Sequence, residues 1–326
     1  MFFMNSAHLM VLGMGGTIAG LAHDPAKPMA YQAGALAITD LIREVASDLG
    51  DLECIQVANI DSRHMHEALM IDLAHAVEAG LERDDIAGIV ITHGTDTLEE
   101  TAIFLHATLG KLASHHKKAV VLTGAMLPAN ADHADGPANL RAALILAREA
   151  KQHQQFGILA VMAGKPCLAR ELSKQHTHAL DALVMSAREL DGPIHKRQAD
   201  VMLPTTIDWP WVEIVTSHAG ASAKAVDLLV KEGVKGIVIA GTGQGSVHKE
   251  MSEALLMAAE LGVAVVRSSR VGAGVVFSEI PEPDTQWNWV SARDLNPPKA
   301  RIALQLALLE EKTTQNRDWR SIFATI

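Results

Sequence analysis

Aromatic side chains make up only 4% of the 326 residues, and Tyr31 is the single tyrosine among them. Cysteine is nearly absent: Cys54 and Cys167 are the only two. Two cysteines make no disulfide framework, and both lie in apolar stretches, so both are read as buried free thiols. No cluster of lysine and arginine occurs, and the formal net charge is −10. A nucleic-acid partner would call for a basic face, so none is expected. No run reaches the ~18 apolar residues that cross a bilayer, so no membrane span is expected either. The start, Met1-Phe2-Phe3-Met4-Asn5, has neither a basic n-region nor a long apolar h-region, and the expectation is a cytoplasmic enzyme. HExxH, GxxxxGK[ST] and the Gly-x-Ser-x-Gly elbow are all missing, which removes the zinc-peptidase, P-loop and α/β-hydrolase readings.

What is abundant is apolar residue, 48% of the chain, enough for a large core. Short continuous apolar runs at 9–12, 89–91, 119–122, 157–161, 236–239 and 263–266 read as strands buried on both faces. Between them, 36–49, 66–81, 98–112, 138–150, 224–231, 250–261 and 300–309 carry helical spacing. Alternating strand and helix predicts an α/β fold with a doubly wound parallel sheet. A stretch rich in charge and carrying Pro193, Pro204 and Pro210 interrupts the alternation. The expected organisation is a larger N-terminal catalytic domain over 1–190, a linker over 191–211 and a smaller C-terminal α/β domain over 212–326.

Two turns stand out at the carboxyl ends of predicted strands, the edge where open α/β sheets bind ligands. One is Gly15-Gly16-Thr17-Ile18-Ala19-Gly20 and the other Thr92-His93-Gly94-Thr95-Asp96-Thr97. Glycine there permits positive φ and close approach, and threonine presents a hydroxyl. The first turn fails as a GxGxxG fingerprint because Ile18 stands where the third glycine belongs. In the second, Thr97 and Glu100 read as a capping box, with Asp96 as another cap of the same helix. The box accounts for Thr97 and Glu100 but not for His93-Gly94-Thr95-Asp96, which lie ahead of it on the ligand edge. A nucleophilic hydroxyl needs a base: Lys174 would serve if desolvated, and is otherwise a surface lysine. Tyr31 would either relay a proton or fill a core edge. Gly241-Thr242-Gly243-Gln244-Gly245-Ser246 follows the 236–239 strand and lies on a second ligand edge. Asp135-Gly136-Pro137 reads as a turn with Pro137 early in a helix. The sixteen histidines include pairs at 64 and 66, 115 and 116, and 176 and 178. None has a cysteine or carboxylate at metal spacing, so these are read as solvated and no metal is expected.

These motifs, with Thr123-Gly124-Ala125-Met126, Arg267-Ser268-Ser269-Arg270-Val271 and Leu295-Asn296-Pro297, resemble the bacterial-type L-asparaginases of the asparaginase/glutaminase family over nearly the whole chain. The resemblance implies hydrolysis of L-asparagine to L-aspartate and ammonia without a cofactor, in a homotetramer built as a dimer of dimers. It implies that Thr17 is the acyl-accepting nucleophile with Tyr31 as its loop partner. Thr95, Asp96 and Lys174 are the implied second cluster, with Lys174 tuning Thr95. Asp96 would bind the substrate α-ammonium and Ser62 the α-carboxylate. Gly94, Thr95 and Ala125 would line the substrate, with backbone N–H groups near Thr95 and Ala125 forming an oxyanion hole. Ser246 and one glutamate, Glu279 or Glu282, would come from the neighbouring subunit.

One departure falls at the α-carboxylate site. Secreted members read Gly-Ser-Gln there, and this chain reads Asp61-Ser62-Arg63. A fixed cation replaces a neutral amide beside a zwitterionic substrate, unless Arg63 turns outward. One methylene separates asparagine from glutamine, so a dual glutaminase-asparaginase is the same-family alternative. An amino-acid-binding regulatory protein on the same scaffold is the alternative of another class. The amide-hydrolysing subunit of a tRNA-dependent amidotransferase is a third, held back because the first threonine turn begins close to residue 1.

Overall fold

The computed structural model describes residues 8–45, 48–185, 200–315 and 317–326. Two compact units divide the chain, Met1–Thr205 and Thr206–Ile326. Residues 191–199 of the expected linker lie outside the described residues. Val201 donates its N–H to Ala107 O at 3.1 Å, which ties that part of the chain to the first unit.

The first unit is built on a six-stranded sheet. From edge to edge the strands are Leu52–Ile60, His8–Gly15, Ile86–Thr92, Ala119–Thr123, Gly157–Met162 and Lys165–Leu168. The first five run parallel and the last pairs antiparallel. Leu9, Val11, Val90, Val121 and Leu159 point to one face, where they pack with Ile38, Leu41 and Val45 from the helix Ile38–Val45 and Leu140, Ala143 and Ala147 from the helix Gly136–His153. The helices Glu67–Glu82 and Leu98–His115 pack against each other and against the sheet. Strands covered on both sides must be apolar throughout, which is why the buried runs carry no alternation. Truncating a fully buried Val90 or Leu122 would cost on the order of 1–5 kcal/mol.

The second unit holds a four-stranded parallel sheet in the order Val212–Thr216, Gly236–Gly241, Ala264–Ser269, Trp289–Ser291. The helices Lys224–Lys231 and Lys249–Glu260 contribute Val226, Met251, Leu255 and Ala258 to a core with Ile237, Ile239 and Val265. The helix Pro297–Thr314 extends the expected 300–309 segment at both ends; at its start Asn296 accepts the Lys299 N–H at 3.2 Å and proline occupies the first turn.

Two local readings are corrected. The Thr97–Glu100 capping box does not form; the Thr97 hydroxyl donates instead to Ser62 O at 2.8 Å and ties two site loops together. Cys167 is buried, but Cys54 is only half-buried, because its strand is the edge of the sheet.

Candidate active site

Numbered along the chain, the five parallel strands of the first unit's sheet have the order 2-1-3-4-5. Connections diverge to opposite faces between the first and third, His8–Gly15 and Ile86–Thr92, which opens a crevice beyond their carboxyl ends. The two threonine turns leave from these two strands. Gly15 and Gly16 have φ of 90° and 78°, and Gly16 N–H donates to Ile60 O at 2.8 Å. The turns then meet at glycine: a Cβ on Gly16 would lie 2.4 Å from Gly94 Cα. A Cβ on Gly94 would in turn lie 2.5 Å from the Ser62 hydroxyl oxygen. The third turn joins on the other side, since a Cβ on Gly124 would lie 2.6 Å from His93 O and 3.2 Å from Thr95 Cγ2.

Thr17 opens a 3-10 turn, Thr17–Ala19, and is buried. Its Oγ1 lies 2.8 Å from Tyr31 Oη, and either atom can donate. Tyr31 is carried by a hairpin of two residues per strand, Leu21–Ala22 with Tyr31–Gln32. Asn130 anchors the hairpin base, accepting Ala22 N–H at 2.7 Å and donating to Ala22 O at 2.9 Å.

Thr95 is buried, and Lys174 donates from Nζ to its Oγ1 at 2.9 Å and to Asp96 Oδ1 at 2.6 Å. Lys174 is half-buried while Asp96 is exposed, so the ammonium bridges the interior hydroxyl and the outer carboxylate. Because Lys174 donates, the Thr95 proton is left to point onward, toward a water or a carbonyl oxygen. Behind them His93 is fully buried. Loss of hydration holds its imidazole pKa down at about 4, so it is neutral at pH 7. Its Nδ1 contacts Gly94 O at 2.7 Å and its Nε2 contacts Thr101 Oγ1 at 3.0 Å. A neutral ring satisfies both by donating from Nδ1 and accepting at Nε2.

The turn that carries Ala125 is held by Asp135, whose carboxylate accepts from Met126 N and Leu127 N, and by Asn139, which donates to Gly124 O at 3.0 Å. Ser62 is buried, Asp61 before it is half-buried and Arg63 after it is exposed. Arg63 Nε lies 3.1 Å from Asp61 Oδ2, with most of its side chain in solvent. Ser246 and both candidate glutamates lie in the second unit. Ser246 closes a turn with Thr242, each donating its N–H to the other's carbonyl, at 2.8 and 2.9 Å. Glu282 Oε1 accepts the Val247 N–H at 3.3 Å, next to Ser246. Glu279 accepts from Thr285 N and from the Thr285 hydroxyl instead. Among the described residues, no cluster of histidine, cysteine and carboxylate has the makings of a metal centre.

Residues 8–203 match the family domain described as "Asparaginase, N-terminal", and residues 211–323 match the "Glutaminase/Asparaginase C-terminal domain". The chain belongs to the asparaginase family. It is 35% identical over 324 residues to L-asparaginase 2 of Escherichia coli (strain K12), spanning 94% of this chain and 90% of that protein. It is 33% identical over 340 residues to the glutaminase-asparaginase of Acinetobacter glutaminasificans, spanning 96% and 99%. Among solved structures, the probable cytoplasmic L-asparaginase from Campylobacter jejuni superposes with a TM-score of 0.86 at 36% identity, over 98% of this chain and 100% of that one.

In this asparaginase-family chain Thr17, Ser62, Gly94, Thr95, Asp96 and Ala125 lie on turns at one edge of the sheet, and Tyr31 reaches Thr17 from its hairpin. Lys174 reaches Thr95 and Asp96 from the strand Leu172–Lys174, which pairs with Leu183–Met185 in a separate two-stranded sheet. Some contributors escape motif reading. Glu99 is buried and its carboxylate accepts the Lys174 N–H at 3.3 Å, fixing the lysine backbone across the site. Its only signal in the sequence is a carboxylate, next to Glu100, in the first turn of a mainly apolar helix.

Proposed function

We propose that this protein is an amidohydrolase that converts L-asparagine to L-aspartate and ammonia through a threonyl ester. The observation that carries the reading is the pair of hydroxyl clusters, Thr17–Tyr31 and Thr95–Lys174–Asp96, on turns that touch at Gly16 and Gly94. The names of its relatives point the same way. Thr17 Oγ1 attacks the side-chain amide carbon, and its proton leaves by way of Tyr31 and ends on the departing nitrogen. The oxyanion takes hydrogen bonds from backbone N–H groups near Thr95 and Ala125. Ammonia departs. A water held by Thr95, itself oriented by Lys174, then attacks the ester, releasing aspartate and restoring the Thr17 hydroxyl. Asp96 holds the substrate ammonium and Ser62 its carboxylate.

The site is completed by Ser246 and a glutamate of a neighbouring subunit within a homotetramer. The bond from Val247 to Glu282 supports Glu282 for this part, and Glu279 is engaged with Thr285. Dissociation to monomers therefore abolishes activity; a sedimenting monomer with full specific activity would refute this assembly. Cytoplasmic residence belongs to the same reading and is checked by cell fractionation. Activity on glutamine is a second reading, favoured by the relative named glutaminase-asparaginase.

Ammonia release from asparagine and from glutamine tests the activity, and Thr17→Ala tests the nucleophile. The variant is expected to keep its assembly and lose at least a thousandfold in kcat. Substantial hydrolysis by Thr17→Ala moves the nucleophile to Thr95, and no ammonia release by the unmodified protein removes the hydrolase reading.

A further inference from the structure

The reaction just described leaves unused Arg267, the largest fully buried side chain among the described residues. It sits in the strand Ala264–Ser269, and its Nε and Nη2 bind the two carboxylate oxygens of buried Asp284 at 2.8 and 2.7 Å. The remaining bonds go to loop carbonyls. Nη1 donates to Gln244 O at 2.8 Å, and Nη2 to Phe277 O at 2.7 Å and Ile280 O at 3.3 Å. One guanidinium thus grips two loops. The first carries Ser246 and the second carries Glu279 and Glu282.

The loops are shaped to the group they hold. Gly245 has φ of 81°, and a Cβ there would lie 2.8 Å from Arg267 Nη1. The Gln244 side chain adds a second tie, donating to Val275 O at 2.9 Å and accepting Phe277 N–H at 3.0 Å. Asp284 reaches the same loop at Glu279 N–H, 3.3 Å away, and donates its own N–H to Glu282 O at 3.0 Å. A buried ion pair adds little net stability over a well-packed apolar pair. Its planar fork instead fixes distances and angles between the groups that it binds.

We propose that Arg267 is a positioning residue for hydrolysis: clamped on Asp284, it sets Ser246 and Glu282 at the spacing that a neighbouring subunit's site requires. This rests on the assignment of those two residues to the neighbour's site.

The test is complementation between subunits. Arg267→Lys keeps the charge without the fork, Arg267→Met removes both, and Asp284→Asn weakens the clamp from the other side. Each assembled variant is expected to lose at least tenfold in kcat/KM while its sedimentation matches that of the unmodified protein. Arg267→Met also lowers the melting temperature, because it leaves the buried Asp284 carboxylate unpaired, so Arg267→Lys, which keeps the charge, carries the comparison of kinetics with stability. Co-expression of Thr17→Ala with each clamp variant then restores activity to about a quarter of the unmodified level. Random pairing makes half of the dimers mixed, and each mixed dimer holds one complete site. The control pairs Thr17→Ala with the Ser246→Ala/Glu282→Ala double variant. Recovery in the control without recovery for the Arg267 variants overturns the proposal and leaves the shared site standing. Absence of recovery in the control overturns the shared site, and the proposal with it. Unchanged kinetics in Arg267→Met, or failure of all three variants to assemble, also overturns the proposal, the latter because the pair is then a folding element.

Discussion

Gly16 and Gly94 touch backbone to backbone, so the two threonine turns are spaced by the thickness of two main chains. No side chain fits between them: a Cβ on Gly16 overlaps both Cα and N of Gly94, and the φ of 78° strains any residue placed there. Gly16→Ala is expected to push the turns apart, lowering stability by about 1–3 kcal/mol. Turnover falls by on the order of a hundredfold, because small displacements of reacting groups are costly. Melting curves and ammonia release on one preparation check both numbers. Unchanged turnover would mean that Thr17 and Thr95 act independently.

Lys174→Met should separate chemistry from stability. The ion pair to exposed Asp96 is worth at most about 1 kcal/mol. The bond to buried Thr95 is the one that the reaction needs, and kcat is expected to fall roughly a hundredfold or more. A loss of stability matching the loss of activity would make the lysine a structural prop.

Arg63 is paired with Asp61 and largely solvated, so Arg63→Gln is expected to change KM for asparagine less than about threefold. Selectivity between asparagine and glutamine should move by less than about tenfold, roughly 1.4 kcal/mol. Steady-state kinetics on both amides decide the matter. A larger shift in selectivity would place Arg63 against the substrate side chain.

His93 makes the fold acid-sensitive over a defined window. Its pKa is held at about 4 in the folded chain against an ordinary 6.5, so between these values the unfolded chain binds a proton that the folded chain refuses. Stability from this residue is fully present above pH 6.5 and is lost as pH falls toward 4, by up to roughly 3 kcal/mol. Denaturant titrations at pH 4.5 and pH 7 should show a smaller pH difference in His93→Gln than in the unmodified protein. Equal differences would assign the acid sensitivity to other groups.

Much of this architecture is legible in the residues, for a physical reason. Strands covered on both faces must be apolar throughout, and 89–91, 119–122, 157–161 and 236–239 announce themselves. The strand Leu52–Ile60 does not, because it lies at the sheet edge and carries Glu53, Gln56 and Asn59. Val212–Thr216, with Glu213 exposed to partial solvent at another edge, escapes for the same reason. At the site, glycine and threonine at strand ends mark Thr17 and Thr95 directly. Their spacing through Gly16 and Gly94 is a long-range contact that no local pattern encodes. Thr97 shows the opposite failure: its local pattern is a cap, and the tertiary partner Ser62 O takes the hydroxyl instead. Motif resemblance points to Lys174, while Glu99, which holds the lysine backbone, lies within a helical pattern that gives no reason to single it out.

The hairpin that carries Tyr31 is the lightest-built element around the reaction. Its ladder is two residue pairs long, its tip from His23 to Lys27 lies in solvent, and Asn130 fastens only its base. In the proposed reaction, swinging it outward to admit substrate would break a few hydrogen bonds and leave the sheet core intact, so opening would have its own energetic scale, separate from that of unfolding. Under that reading, heat resistance and turnover are independently adjustable. Core substitutions would raise the melting temperature with turnover preserved, whereas a proline that stiffens the hairpin tip would slow the catalytic cycle without hardening the fold.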